Sequence, residues 1–333
     1  MRKIVLGICL LAIVVGAAYW RGRSLRAPLT VAYSGERNVT LWSTTAQVRE
    51  SVATLEYGDR LEVLGHDGSS VQVRTAKGTT GWMDSRLLLS VELWDQGNAL
   101  LAKAREMPVE AHGHTKVVSN LRVEPGRDGA RIRKLLREVP VGLVERRVVQ
   151  VPTNPAAAKD DAGSSEESEA KQEDWWLVRA QPKDQSETAG WILGRFIDLD
   201  LPSPLPDYAS TAGMRVVAWF ALNQVTDPAG GPKPQYLVVG THGPEGQPCD
   251  FSMLRVYTWS VKHRRYETAY VEGHLCAQLP VTVTPASSPG GDVFFRFKAA
   301  GHSGEEDAEY RMRQTIVRRI REGEPPRRLK RHR

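Results

Sequence analysis

Cysteine is scarce in this chain, with three among 333 residues, and none of the three falls in a compact zinc spacing with the nearby His242 and His274. No Gly-x-Gly-x-x-Gly stands between a strand and a helix, which excludes dinucleotide and phosphate-loop sites, and no cofactor is expected. The Gly-x-Ser-x-Gly elbow of serine hydrolases is missing too. Ser303 does follow a histidine in Gly301-His302-Ser303-Gly304, but this polar stretch before Glu305-Glu306-Asp307 reads as a turn. His112-x-His114 offers two ligands from one strand with no third placed nearby, so no metal site is expected. Excess charge of one sign is modest, at a formal +6, and is unevenly spread. Acidic residues gather in Asp160 to Asp174, while Arg327, Arg328, Lys330, Arg331 and Arg333 crowd the C-terminus. That basic tail stands alone without a nucleic-acid-binding module, so no nucleic acid partner is expected.

What is present is repetition. Gly81-Trp82-Met83 and Gly190-Trp191-Ile192 each close a run of short, alternating segments, which marks an internal repeat. The first unit runs through Val39-Thr40-Leu41, Gly58-Asp59, Leu61-Glu62-Val63-Leu64 and Val71-Gln72-Val73-Arg74. The second runs through Asn120-Leu121-Arg122-Val123-Glu124-Pro125-Gly126, Val141-Gly142-Leu143-Val144 and Trp175-Trp176-Leu177-Val178. Alternation of this kind is what a strand with one buried face requires. Leu41 to Gly81 covers 40 positions and Leu121 to Gly190 covers 69. Residues 152–172, rich in Pro, Ala, Ser, Asp and Glu without apolar periodicity, read as a disordered insertion supplying most of the surplus. Residues 27–38 read as a polar lead-in, and 91–116 as a helical connector with Leu93, Leu100, Ala104 and Met107 at helical spacing, packed across the two repeats.

These residues resemble bacterial SH3 domains. The second copy carries the family's Asn-Leu-Arg-Val opening, the Pro125-Gly126 turn and the closing Gly-Trp. The first departs from it, with Leu41-Trp42-Ser43 at the opening strand and no Pro-Gly after it. The resemblance implies barrels over 36–90 and 117–198. It also implies a non-catalytic binding role on cell-wall glycan or peptide, or on an envelope protein. Tyr57, Trp82, Trp175, Trp176 and Trp191 are then the aromatics suited to stacking on a ligand, and core or barrel-end packing is the plain alternative for each.

The ends of the chain supply the remaining expectations. Met1-Arg2-Lys3 precedes an apolar run, Ile4 to Ala18, followed by Tyr19-Trp20 and then Arg21, Arg23 and Arg26. Residues 1–26 therefore read as a membrane anchor or a cleaved signal segment, with the bulk of the chain exported to the cell envelope. In an oxidising compartment Cys249 and Cys276 either pair or stay buried and reduced; spacing alone leaves both open. Beyond the Pro-rich linker 201–206, residues 207–323 carry strand-like runs between turn signals, and Tyr310 to Arg321 reads as strand or helix. Residues 324–333 form the basic tail. The fold class expected is mainly β: two small SH3-like barrels, a β-rich C-terminal domain and an N-terminal transmembrane or signal helix. Two other roles stay open: a cell-wall hydrolase or peptidase with its site in 207–323, for instance Cys276 with a distant histidine, and a structural spacer.

Overall fold

The computed structural model describes residues 30–151, 172–183, 185–287, 291–301 and 304–320. The N-terminal segment 1–26, the acidic stretch up to residue 171, the His302-Ser303 pair and the basic tail lie outside them. The described chain is mainly β, built from several antiparallel sheets. It divides into two compact units, residues 1–96 and 97–333.

In the first unit, strands β1 (Thr30–Ser34), β2 (Val39–Trp42), β3 (Ser51–Leu55), β4 (Arg60–Asp67), β5 (Ser70–Thr75), β6 (Thr80–Asp84) and β7 (Leu88–Ser90) form one sheet. Its order is β3-β2-β6-β5-β4-β1-β7. Alternation places Leu41, Leu61, Val71, Val73 and Met83 on one face, where they pack with Val39 and Leu55. Glu62, Gln72 and Arg74 point away from that core, as strand periodicity demands. Thr30–Ser34 corrects the expectation of a polar lead-in. It pairs with both β4 and β7 and buries Ala32 and Ser34, so its role is set by two distant partners rather than by its own composition.

The second unit repeats the plan. Strands β8 (Ala111–Thr115), β9 (Ser119–Arg122), β10 (Arg131–Leu135), β11 (Pro140–Gln150), β12 (Gln172–Ala180), β13 (Thr188–Leu193) and β14 (Ile197–Leu199) take the order β10-β9-β13-β12-β11-β8-β14. Position for position this is the order of the first sheet. In each repeat a 3-10 turn, Ser85–Leu87 or Gly194–Phe196, leads into the last strand. The connector is shorter than 91–116: helix α1 (Val91–Glu106) ends before Pro108, and β8 already belongs to the sheet. Gly126, in the turn after β9, takes a φ of 128°, open to glycine and strained for other residues. Strands β11 and β12 stay paired out to Gln150 opposite Gln172, so residues 151–171 join two adjacent strand ends. The matching hairpin of the first repeat is closed by Gly68-Ser69 alone.

Two four-stranded meanders follow. The first holds β15 (Arg215–Asp227), β16 (Gly231–Thr241), β17 (Met253–Ser260) and β18 (Arg265–Glu272). The second holds β19 (Ala277–Thr284), β20 (Val293–Gly301), β21 (Gly304–Arg313) and β22 (Ile316–Ile320). The last run is therefore strand: Val317 faces Met312 across β21–β22 and is buried while its neighbours are exposed. Part of the Pro-rich linker is also structured. A short helix, α2 (Leu205–Thr211), starts there, with proline tolerated in its first turn, and buries Leu205 and Ala209. Strand β16 is covered on both faces. Leu237 and Val239 enter a core shared with the second repeat, while Tyr236 and Val238 pack beneath α2. Cys249 and Cys276 form a disulfide beside the Phe251–Ala277 bridge that ties the two meanders together. A disulfide persists in an oxidising compartment, which fits an extracytoplasmic protein. Among the described residues no helix is long and apolar enough to cross a membrane.

Candidate binding groove

Strand alternation in the first repeat sends Leu41 and Met83 inward and leaves Trp42 and Trp82 on the other side. The two tryptophans stand opposite each other across the β2–β6 ladder, both half-buried. The Arg49 guanidinium lies over the Trp42 ring, 4.4 Å from its centroid. Together with Arg37, Asn38, Thr40, Thr45 and Asp84 they line a groove of about 430 Å³. Asp84 caps the 3-10 turn by accepting the Arg86 backbone N–H at 2.9 Å, and it also pairs with the Arg86 guanidinium at 2.6 Å. The side-chain bonds to Arg86, followed by the backbone one, hold its carboxyl at about 2, so the groove keeps a fixed anion beside its cations. Flat indole faces beside the Arg37 and Arg49 cations and the Glu36 and Asp84 carboxylates make a surface suited to sugar rings or an extended peptide.

The glycine before each tryptophan is explained by crowding. A β-carbon on Gly81 would lie 2.9 Å from Leu41 Cβ and 3.2 Å from the Trp42 carbonyl oxygen. On Gly190 it would lie 2.9 Å from Leu121 Cβ and 3.2 Å from the Arg122 carbonyl oxygen. The glycines serve close approach of β6 to β2 and of β13 to β9, since neither has a positive φ.

The second repeat has its own groove at the corresponding place, about 300 Å³, lined by Ser119, Asn120, Arg122, Arg127, Trp175 and Arg195 among others. Register equates Arg122 with Trp42 and Trp191 with Trp82. No indole pair faces outward here. Trp175 and Trp191 are each 2% exposed and sit in a cluster with Leu177, Leu193 and Ala104 of α1. Arg147 lies over Trp191 at 5.0 Å. Trp176, on the opposite face, is 6% exposed in the core shared with the meanders. Neighbouring residues of β12 do face opposite ways, but both faces are covered, so all three rings lie in cores and not at a free surface. Tyr57 is half-buried against Trp94 at 5.6 Å, and Trp94 itself stacks on Tyr33 at 4.6 Å; Tyr57 does not line the groove. Of the five aromatics singled out in sequence, Trp82 alone lines the first-repeat groove. Trp42 and Arg49 were missed, although Trp42 is the residue by which the first repeat departs from the pattern of the second.

The other chemical candidates are dispersed. Cys276 is bonded to Cys249, so it offers no thiolate. His242 Nδ1 lies 2.8 Å from the Gly213 carbonyl, and His114 Nδ1 lies 2.9 Å from Asp200, a bond that raises the His114 pKa. Among the described residues no three His, Cys, Asp or Glu side chains gather as a metal-holding group.

No family model matches the chain, and no curated protein matches it. Seven chains of solved structures do. One is NlpC2 from Trichomonas vaginalis, at 10% identity over 74% of this chain and 97% of that one, with a TM-score of 0.17. NlpC1 from the same organism gives 9% identity over 75% and 94%, with a TM-score of 0.18. An NlpC/P60 family protein from Bacillus cereus ATCC 10987 gives 10% identity over 73% and 94%, with a TM-score of 0.21.

Proposed function

We propose that this chain is a non-catalytic binding protein of the bacterial cell envelope. In this reading its two seven-stranded repeats are SH3-like barrels, and the first takes cell-wall glycan or peptide in the Trp42–Trp82 groove. The observation that carries the reading is the pair of partly exposed indoles facing each other, with Arg49 over one of them. Exposed aromatic area of this sort is costly to leave in water and is recovered by stacking on a ring or an extended backbone. The second repeat acts as a structural partner, its tryptophans spent on holding α1 and the meanders. Residues 1–26 anchor the chain to the membrane or direct its export, and the disulfide supports an extracytoplasmic location.

The test is co-sedimentation of the full chain with purified peptidoglycan at moderate salt. Wild type sediments; Trp42→Ala and Trp82→Ala remain in the supernatant with an unchanged melting temperature. If wild type stays in solution the wall-binding reading fails and a spacer role takes its place. Release of soluble muropeptides by wild type would instead establish a hydrolase.

A further inference from the structure

A further cavity, of about 440 Å³, lies within the second unit and shares no lining residue with either groove. It is lined by Met107 and Pro108 after α1, by Val144 and Val148 of β11, and by Leu279 and Pro280 of β19, with Glu110 on its wall. Glu110 is 5% exposed, and the one hydrogen bond its side chain accepts among the described residues is a long one, 3.4 Å from the Val281 N–H. A carboxylate in such a setting is far short of the hydrogen bonds that an ionised group needs.

The other charges around it are all engaged. Arg146, its side chain 4% exposed, donates to Asp174, to Asp250 at 3.0 Å and to the Gln247 carbonyl at 2.8 Å. Asp250 spends its second oxygen on the Leu279 N–H at 2.9 Å. Glu145 is held by Lys103 at 2.6 Å and Arg147 at 2.7 Å. The segment of β19 facing the cavity contributes Gln278, Leu279 and Pro280, none of them charged. Among the described residues one carboxylate is left over, at the wall of a chamber whose apolar lining comes from Met107, Val144, Val148 and Leu279 and whose remaining charges, Glu145, Arg146 and Asp250, are paired.

We propose that this cavity binds a primary alkylammonium, the Glu110 carboxylate taking the ammonium and the Met107, Val144, Val148 and Leu279 side chains taking the alkyl stem. A divalent cation would demand several oxygen ligands where one free carboxylate is present. A guanidinium wants both carboxylate oxygens in a fork, and one already faces the Val281 N–H. An ammonium on a flexible stem needs a single acceptor and apolar cover. Without a ligand, burial pushes the Glu110 carboxyl up to about 7, the Val281 N–H opposing and the Asp250 charge adding to the rise. A bound ammonium favours the ionised form, so binding near neutral pH expels part of a proton.

The experiment is isothermal titration of the full chain with pentylamine, with pentanol and with Nα-acetyl-lysine amide, in two buffers of different ionisation heat. Pentylamine binds and pentanol does not. Affinity is about tenfold tighter at pH 8 than at pH 6, with proton release measured at pH 7. Binding of the lysine amide as well assigns a peptide side chain as the source, and binding of pentylamine alone assigns a free amine. Glu110→Gln abolishes amine binding, whereas Trp42→Ala leaves it intact, which separates this site from wall binding. Equal binding of pentanol, an affinity independent of pH, or silence with every probe overturns the proposal on wild-type protein alone.

Discussion

Gly190 passes so close to Leu121 that a β-carbon on the glycine would come within 2.9 Å of the leucine's own. The contact recurs between Gly81 and Leu41 at the same 2.9 Å. Leu121 and Leu41 are both fully buried, so neither can retreat without disturbing its core. Gly190→Ala is therefore expected to cost about 1–3 kcal/mol through overpacking. Gly81→Ala should cost a similar amount in the first unit, and thermal denaturation of both variants checks it.

The tryptophans should separate by burial. Trp176→Ala empties a site shared by the second sheet and the meanders, at an expected cost of about 3–5 kcal/mol. Trp82→Ala removes a ring that lines an open groove, so its loss should fall on ligand binding. Chemical denaturation beside peptidoglycan co-sedimentation distinguishes the two. A large stability loss from Trp82→Ala would show that its ring belongs to the core.

Arg146 is the counter-charge of a buried network. Asp174, its side chain 2% exposed, also takes Arg215 at 3.1 Å and the Gly246 N–H at 3.0 Å. Arg146→Ala strands Asp174 and Asp250 with less compensation, at an expected cost of about 3–5 kcal/mol. The double variant Arg146→Met with Asp174→Leu should recover part of that loss, because removing both members of a buried pair is cheaper than removing one. Denaturant midpoints of the single and double variants supply the comparison.

Two buried carboxyls should give stability opposite pH slopes. Glu173 is held at about 2 by its hydrogen bond from Arg127, reinforced by Arg195 against the cost of burial. Its folded value lies below the unfolded one near 4.5, so its stabilisation is complete above that value and is lost as pH falls toward 2. Glu110 runs the other way. At about 7 the folded protein keeps a proton that the unfolded chain has lost from 4.5 upward, so stability falls as pH rises across that window. The Glu110 effect is worth about 3 kcal/mol by linkage and the Glu173 effect less, because its main partner Arg127 is more than half exposed and solvent screens the pair. Urea midpoints followed over pH should show Glu110→Gln flattening the neutral limb and Glu173→Gln the acid limb.

The architecture was legible wherever a residue's role depends on its near neighbours in the chain. Val71-Gln72-Val73-Arg74 alternates in sequence and in burial alike, because a strand turns successive side chains to opposite faces. Thr30–Ser34 was not legible, since its strand exists only by pairing with β4 and β7. The same holds for β8, which lies inside what composition marks as a connector. At the candidate groove Trp82 was readable from the Gly-Trp repeat. Trp42 was not, because its importance comes from standing opposite Trp82 across a ladder 40 positions long in sequence.

By itself, then, the sequence determined the duplication, the β character and the placing of glycine before each closing tryptophan. Those features follow from local periodicity and from a motif written twice. Tertiary structure alone decided which tryptophans reach solvent, since that depends on what lies over each sheet face. In the second repeat α1 covers one face of β12 and the meanders share the core on the other, so Trp175, Trp176 and Trp191 are withdrawn. In the first repeat the Trp42–Trp82 face stays open enough to hold a groove. It also decided the state of Glu110, an ordinary glutamate in the sequence, whose carboxyl is perturbed because folding encloses it with too few hydrogen-bond donors.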